Sequence, residues 1–591
     1  MSDSGGRWAG VVLGTIVVAL AAVSGSGQQQ RPPVPNAQTP TGLPPGTQTQ
    51  PSPSGLLIPV QPPPKPTPKL LEQYKAVTAD RLKHPEDSDW LMVRRTYDGW
   101  GYSPLDQITT ANVARLQPVW MMSTGMNNGH QAPPYVNNGV MFVSTSYNQL
   151  IAINAKTGDE LWRYRSPSPA DARVSKPVNR GPALFGDKVF LALGEAVLVA
   201  IDAKSGKVLW RTPVEDNKKG YYMTAAPLIA DGKVIVGISG GDGPTRGFVA
   251  AYDPDTGKEV WRCFTIPAPG EPGSETWSGD IWARGGGPTW LTGTYDPALN
   301  LLYWGTGNPS PDWDGESRPG ANLYTDSLVA LDPDTGTLKW HFQYTPHDTH
   351  DWDANEIPVL ADLTIGGRLR KTVIMANRNG FLYVNDRVTG EFILGKPFVN
   401  TTWAKEIAPD GRPRVLPGTD PSETGTVTCP DWYGGTNFMS PSYDSGRGLL
   451  FLTARETCAR FTRRPPPATA GLGDRAMGGS VALVSEPKRY GALRALDPTT
   501  GERKWEITYG DAGWAGVLAT AGGVVFSGDH EGNFFAADSQ TGKKLFQFQT
   551  GAALFAPPTS YAIDGRQWVV IPSGATLTAF ALPALGPSSS K

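Results

Sequence analysis

One short motif, returning along most of the chain, limits what it can fold into. A small or apolar residue is followed by Asp or Asn, two variable positions, Thr or Ser, then Gly, with an aromatic residue four positions on. Clear copies run Ala152–Trp162, Ala200–Trp210, Ala251–Trp261 and Ala330–Trp340. Later or weaker copies centre on Gly390, Gly501 and Gly542, which makes seven. Each reads as a tight hairpin, in which a strand ends, the Asp or Asn side chain caps the turn and Gly takes the positive-φ position. The next strand then opens, and its Trp points into the packing between neighbouring sheets. Most copies lie roughly 40–55 residues apart, the length of a four-stranded propeller blade. The longer interval from Gly390 to Gly501 contains Ser442–Gly446, a degenerate turn read as marking one more blade. The expected fold is all-β, an eight-bladed β-propeller. No helical periodicity competes with it.

Composition agrees and narrows the function. Glycine (69) and proline (55) are abundant, and 19 each of Trp, Tyr and Phe suit many short strands around an aromatic-rich core. A net charge of −2 without a basic stripe argues against a nucleic-acid partner. Three cysteines with no C-x-x-C or C-x-x-C-H pattern exclude a zinc knot and a covalently attached haem. Six histidines without an H-E-x-x-H spacing argue against a zinc hydrolase.

The N-terminus carries Arg7, the apolar run Trp8–Val23 and then Ser24-Gly25-Ser26. That run is short for a membrane span and suits a signal-peptide core. Residues 1–30 are therefore expected to be an export signal, with an uncleaved tether through residues 8–23 as the alternative. Residues 31–69 hold 14 prolines and three charges, the composition of a disordered, polyproline-like spacer. Folded structure is expected over residues 70–585.

The turn motif resembles the tryptophan-docking repeat of the methanol and ethanol dehydrogenases that depend on pyrroloquinoline quinone (PQQ). The resemblance extends from Arg94–Ser103 through Leu105–Thr109 to Gly516–Gly522 in the last blade. It implies a dehydrogenase that removes hydride from an alcohol-type substrate and delivers it to metal-bound PQQ. Trp290, in Gly285–Trp290, matches the indole that lies flat beneath the quinone. Asp242, Asn308 and Asp351 match segments that supply metal ligands, with Asp242 standing where the family has Glu. Asp353, two residues beyond Asp351, matches an additional carboxylate associated with lanthanide use, so calcium and a lanthanide both stay open. Asp351 also resembles the general base, and Arg378 the cation beside the quinone oxygens. Gln131, Arg180, Thr224, Ser239, Gly240, Asn437 and Trp514 match further cofactor contacts. The pair Cys429 and Cys458 matches a structural disulfide. Cys263, in a predicted strand, reads as a buried free thiol.

Beyond Asp242, two further places depart from the pattern. The family's adjacent cysteines are absent before Asn179-Arg180, where the chain reads Val174-Ser175-Lys176-Pro177-Val178. Gln131 replaces a Glu. The acidic loop Asp312-Trp313-Asp314-Gly315-Glu316 lacks the spacing of an EF-hand and reads as a solvated turn. The resemblance further implies a periplasmic location and a separate electron acceptor such as a soluble cytochrome c. Loops 400–430 and 459–490 are expected to build the pocket mouth. The competing readings are a non-catalytic propeller scaffold, which predicts ordinary residues in the channel, and an inactive dehydrogenase homologue.

Overall fold

The computed structural model describes residues 68–584, except 127, 167–170, 173, 175 and 465–476, together with 49–51 and 57–59. The apolar run Trp8–Val23 lies outside the described residues. The chain divides into two compact units, Met1–Pro66 and Thr67–Lys591. In the first, within the segment read as a spacer, Thr49–Pro51 pairs antiparallel with Leu57–Pro59. The second is a β-propeller. Among the described residues, no helix is long and apolar enough to cross a membrane.

The propeller is built from antiparallel sheets of four strands. Six of them take four consecutive strands, within 135–165, 183–213, 228–264, 294–343, 359–397 and 518–549, and a seventh takes four strands within 442–509 that are interrupted by an insertion between the second and third. The sheet at 518–549 also gains Tyr102–Ser103 as a short parallel edge. The last sheet combines three strands within 559–581 with Gln117–Ser123, which pairs antiparallel with Thr576–Ala581. The first strand of a sheet is buried, as at Tyr135–Asn137 and Ser442–Asp444. The fourth, as at Val208–Pro213, alternates with solvent. Each sheet thus runs from the core outward.

The repeated turn joins the third strand to the fourth. In the turn at Gly206, Asp202 Oδ1 accepts from the backbone and hydroxyl of Ser205 at 2.7 and 2.6 Å, and Gly206 has φ +71°. The indole of the preceding sheet then lies across the glycine. A Cβ on Gly206 would come within 2.8 Å of the Trp162 ring. Trp162 Nε1 donates to the Ala203 carbonyl of the same turn at 2.9 Å. Trp120, Trp210, Trp261 and Trp505 dock in the same way on Ala155, Pro254, Pro333 and Ser539.

Ser442–Gly446 marks no additional sheet. It is the hairpin between the first two strands, Ser442–Asp444 and Leu449–Glu456, of the sheet whose docking turn holds Gly501. The long interval is filled instead by insertions. Ala404–Ile407 pairs with Pro413–Val415, and Thr426–Thr428, Ala459–Arg463 and Gly479–Leu483 form a three-stranded sheet. The sheet without a repeated turn is the last one, because its fourth strand comes from the N-terminal side and needs no hairpin. Cys429 and Cys458 are disulfide-bonded, with Cα atoms 4.3 Å apart. Cys263 is a free thiol, half-buried rather than fully buried.

Candidate active site

In an up-and-down antiparallel sheet, the turns before the first strand and between the second and third share one end. The docking turns lie at the other. The sequence-derived candidates fall on the first end. Gln131, Arg180, Thr224, Trp290, Asn437 and Trp514 precede first strands, whereas Ser239–Asp242, Asn308 and Arg378 follow second strands. Asp351 and Asp353 lie in the connection before Val359–Ile365. The topology therefore gathers residues that lie far apart in sequence around one opening.

That opening is a cavity of about 610 Å³, within the range usual for small-molecule and cofactor sites. Gln131, Arg180, Thr224, Ser239, Gly240, Asp242, Trp290, Asp351, Asp353, Arg378, Asn437 and Trp514 all line it. Lys176, Pro177 and Val178 line it as well, from the segment that lacks the adjacent cysteines. Asn308 lies beneath this lining, fully buried.

One wall is cationic and aromatic. Arg180 is 7 % exposed and sits 4.8 Å above the Trp290 ring and 5.1 Å from Phe438. Its Nη1 donates to Thr224 Oγ1 at 2.7 Å, and Thr224 lies 3.2 Å from the Ser239 hydroxyl. Arg180 Nε has no acceptor and no carboxylate pairs with it among the described residues. Burial therefore works against its charge. A buried guanidinium without a counter-ion is costly and suits an anionic, planar guest stacked on the indole. Gln131 Oε1 is also buried without a donor. Phe438 stacks on Trp514 at 5.6 Å, and Arg455 covers Trp514 at 4.1 Å.

Another part of the lining, which adjoins Trp290 through Asp353, is acidic. Asp351 has φ +61°, a conformation that costs a non-glycine residue of order 1 kcal/mol. It is held there by the turn around it, in which Asp348 accepts from the backbones of His350 and Trp352 at 3.0 and 2.9 Å. Trp352 stacks on His350 at 4.3 Å and donates to the Asp431 carbonyl. Arg378 bridges Asp351, at 3.3 Å, and Asp353, which it also contacts closely. Asp353 further accepts from Trp290 Nε1 at 2.9 Å and from the Asn308 backbone at 2.7 Å. Gly307 permits that approach, since a Cβ there would lie 2.1 Å from Asp353 Oδ1.

The loop read as a solvated turn is not one. Asp312 is fully buried, and its ligand atoms lie with those of Asp242 and Asp351 within 4.8 Å of one another. Asn308 Nδ2 holds one Asp312 oxygen at 2.8 Å, while Asp312 Oδ2, Asn308 Oδ1 and Asp351 Oδ1 have no hydrogen-bond partner. Charges at that separation repel by roughly 3 kcal/mol per pair at an effective dielectric constant near 20. Burial, then the neighbouring carboxylates, holds Asp312 well above the usual carboxylate range. Burial also raises Asp351, with Arg378 opposing it. Clustered carboxylates and an unpartnered amide oxygen are the donor set of a hard cation, which would reverse both shifts. Sequence reasoning weighed the loop that holds Asp312 and wrongly set it aside as a solvated turn, and it did not name the aromatic lining of Trp313, Trp432, Tyr433, Phe438 and Phe555. The signal available was the loop itself, Pro311–Gly315.

Comparison with known proteins identifies the family. Residues 90–397 and 487–569 match the family model for the glucose/ethanol/alcohol dehydrogenase β-propeller domain that carries the PQQ label. The chain is 38 % identical over 504 residues to the quinoprotein alcohol dehydrogenase PedH of Pseudomonas putida, covering 80 % of this chain and 84 % of that one. It is 35 % identical over 523 residues to the lanthanide-dependent methanol dehydrogenase of Methylacidiphilum fumariolicum, covering 83 % and 85 %. A solved europium-containing methanol dehydrogenase superposes with a TM-score of 0.80 at 33 % identity, covering 85 % of this chain and all of that one. Family match, fold and cavity together show that this chain belongs to the PQQ-dependent alcohol dehydrogenases.

Proposed function

We propose that the chain binds PQQ and a metal ion in the 610 Å³ cavity and oxidises an alcohol-type CH–OH group there. The observation that carries this reading is that the uncompensated Arg180 above Trp290 lines the same cavity as a cluster of carboxylates. PQQ, when bound, supplies the two-electron acceptor for hydride leaving carbon. Arg180, Thr224, Ser239 and Gln131 would hold its polar rim, and Trp290 and Trp514 its flat faces and edge. Asp242, Asn308 and Asp351 would hold the ion, with Asp353 beside them. Arg378 keeps its charge because Asp351, Asp353 and Glu356 outweigh the cost of burial. It thereby fixes both aspartates and lends positive potential to that end of the cavity. Asp351 is the general base, and its unpartnered Oδ1 would take the substrate hydroxyl proton. A periplasmic enzyme handing electrons to a soluble cytochrome c is the setting proposed for it. The aromatic lining of the cavity favours an alcohol with an apolar body.

The test is titration of the protein with PQQ in calcium and then in lanthanum, followed by quinone absorbance and dye-linked oxidation of an alcohol panel. Metal-dependent uptake with turnover is expected. Asp351→Asn is expected to lower kcat by about 10²–10⁴-fold, the usual range for losing a positioned base, while PQQ still binds. Failure of PQQ to bind with either metal would sink the enzymatic reading.

A further inference from the structure

We propose that the buried ion pair between Asp431 and Arg455 is a positioning device, which fixes the Trp514 ring and the Arg378 guanidinium as one unit in the cavity lining. The inference rests on the PQQ reading above and adds to it two residues that do not themselves line the cavity.

Arg455 stands next to the end of Leu449–Glu456, the second strand of its sheet. It and Asp431 are both buried, and its Nη2 donates to Asp431 Oδ2 at 3.2 Å. The guanidinium lies 4.1 Å from the Trp514 ring centre and 5.5 Å from that of Tyr433, which meets Trp514 edge-on at 5.2 Å. On its other side the pair fixes the loop 431–435. Asp431 Oδ1 accepts from the Gly434 N–H at 3.1 Å, and the Asp431 N–H donates to the Thr457 carbonyl at 3.0 Å. That loop grips Arg378 twice. The Trp432 carbonyl accepts from Arg378 Nη2, and the Gly435 N–H donates to the Arg378 carbonyl at 2.9 Å. Gly434 permits the approach, since a Cβ there would lie 2.6 Å from Arg378 Cα. The Arg455 N–H donates in turn to the Gly435 carbonyl at 2.8 Å, which completes the circuit.

Holding the two segments together does not require this pair, because the Cys429–Cys458 disulfide already joins them. Nor does the pair suit stability alone. Arg455 Nε and Nη1 have no acceptor, and burial works against the charge, with Asp431 opposing it. Replacing a buried ion pair by uncharged groups of similar volume is often neutral or stabilising. What the pair adds is direction. A planar guanidinium can stack on an indole while one edge points at a carboxylate. Arg378 in turn contacts Asp351 and Asp353, and Trp514 lines the cavity. A shift of the pair therefore moves two groups that would meet the guest. Misplacement by about 1 Å can lower a rate about 100-fold.

The experiment uses the full chain and two variants, Arg455→Met and the doubly neutral Asp431→Asn/Arg455→Met. Arg455→Met is expected to melt lower, because Asp431 stays buried without its partner. The double variant is expected to regain the melting of the unsubstituted chain. Its function is not expected to return. PQQ affinity in calcium or lanthanum, read by quinone absorbance, should stay about tenfold or more weaker, and kcat about 10–100-fold lower with KM within about threefold. In the cofactor-free chain, amide exchange at 431–435 should be about tenfold or more faster in the double variant, with protection within 135–165 unchanged. A double variant whose PQQ affinity and kcat both return to within about threefold overturns the proposal, since the pair then only offsets its own charges. Unchanged exchange at 431–435 overturns it too. So does a double variant that melts as low as Arg455→Met, because the pair would then serve the fold. If the unsubstituted chain takes up no PQQ, the PQQ reading fails, and exchange in the cofactor-free chain separately decides whether the pair holds the loop around Arg378.

Discussion

Arg180 shows how a single side chain can announce a missing counterpart. It is buried, donates one hydrogen bond to Thr224, leaves Nε unpartnered, and stacks between Trp290 and Phe438. Cation–π contact recovers about 0.5–2 kcal/mol, which does not offset desolvation of a guanidinium. A bound carboxylate would do so through a charge-assisted pair worth about 1.5–3 kcal/mol. Arg180→Ala is therefore expected to weaken PQQ binding by about 10–100-fold, read by quinone absorbance, with melting of the cofactor-free protein unchanged or raised. An unaltered cofactor affinity would mean that Arg180 only packs. Arg180 was legible in the sequence because it sits in a short local motif, Asn179-Arg180-Gly181. Asp312 was not, because an acidic turn in water and one folded beneath a cavity have the same local sequence. Only the packing of Asn308 and Asp351 around it distinguishes them.

At the scale of the element, the docking turn couples each sheet to the next. Trp261 is buried, donates to the Pro333 carbonyl at 2.9 Å and lies across Gly336, where an added Cβ would meet the ring at 2.5 Å. Trp261→Ala is expected to cost about 3–5 kcal/mol, as for other large-to-small changes at buried aromatic sites. Gly336→Ala is expected to cost about 2 kcal/mol, from φ +73° together with the clash. The two should not add. Without the indole the clash is gone, so the double variant should recover about 1 kcal/mol relative to the sum, measured by denaturant unfolding. Strict additivity would show that the glycine serves its own turn alone. These turns were readable in sequence because their chemistry lies within seven consecutive residues. The turn at Gly390 is followed by Leu394 in place of Trp, and Lys396 instead covers Gly501. The Ser442–Gly446 hairpin was misplaced for the complementary reason. Turn residues mark that a chain reverses without stating which pair of strands they join.

At the scale of the molecule, the ring is closed by a pairing that no local pattern encodes. Gln117–Ser123 lies roughly 450 residues before Thr576–Ala581 in sequence, yet pairs with it from Gln117 opposite Ala581 to Ser123 opposite Thr576. Within the same strand Trp120 docks on the next turn, donating to the Ala155 carbonyl at 3.1 Å and covering Gly158. The sequence reading found the repeat but had no means of finding this strand, since its indole follows no turn. Closure also covers the two sheet faces that an open ring of sheets would expose, and Gln117–Ser123 pairs the edge that Thr576–Ala581 would otherwise leave open. Because the closing strand is held both by its ladder and by its indole, its opening should be coupled to its distant partner. Trp120→Ala is expected to lower amide-exchange protection of 117–123 and 576–581 together, by about 10–100-fold, the effect of roughly 1.5–3 kcal/mol on local opening. Protection within 359–397, in another sheet of the ring, should change by less than about threefold. Hydrogen exchange resolved by mass spectrometry checks this. If every sheet lost protection equally, the ring would unfold as one cooperative unit and the closing strand would be no weaker than the rest. If 117–123 alone lost protection, the ladder to Thr576–Ala581 would not be what closes the ring.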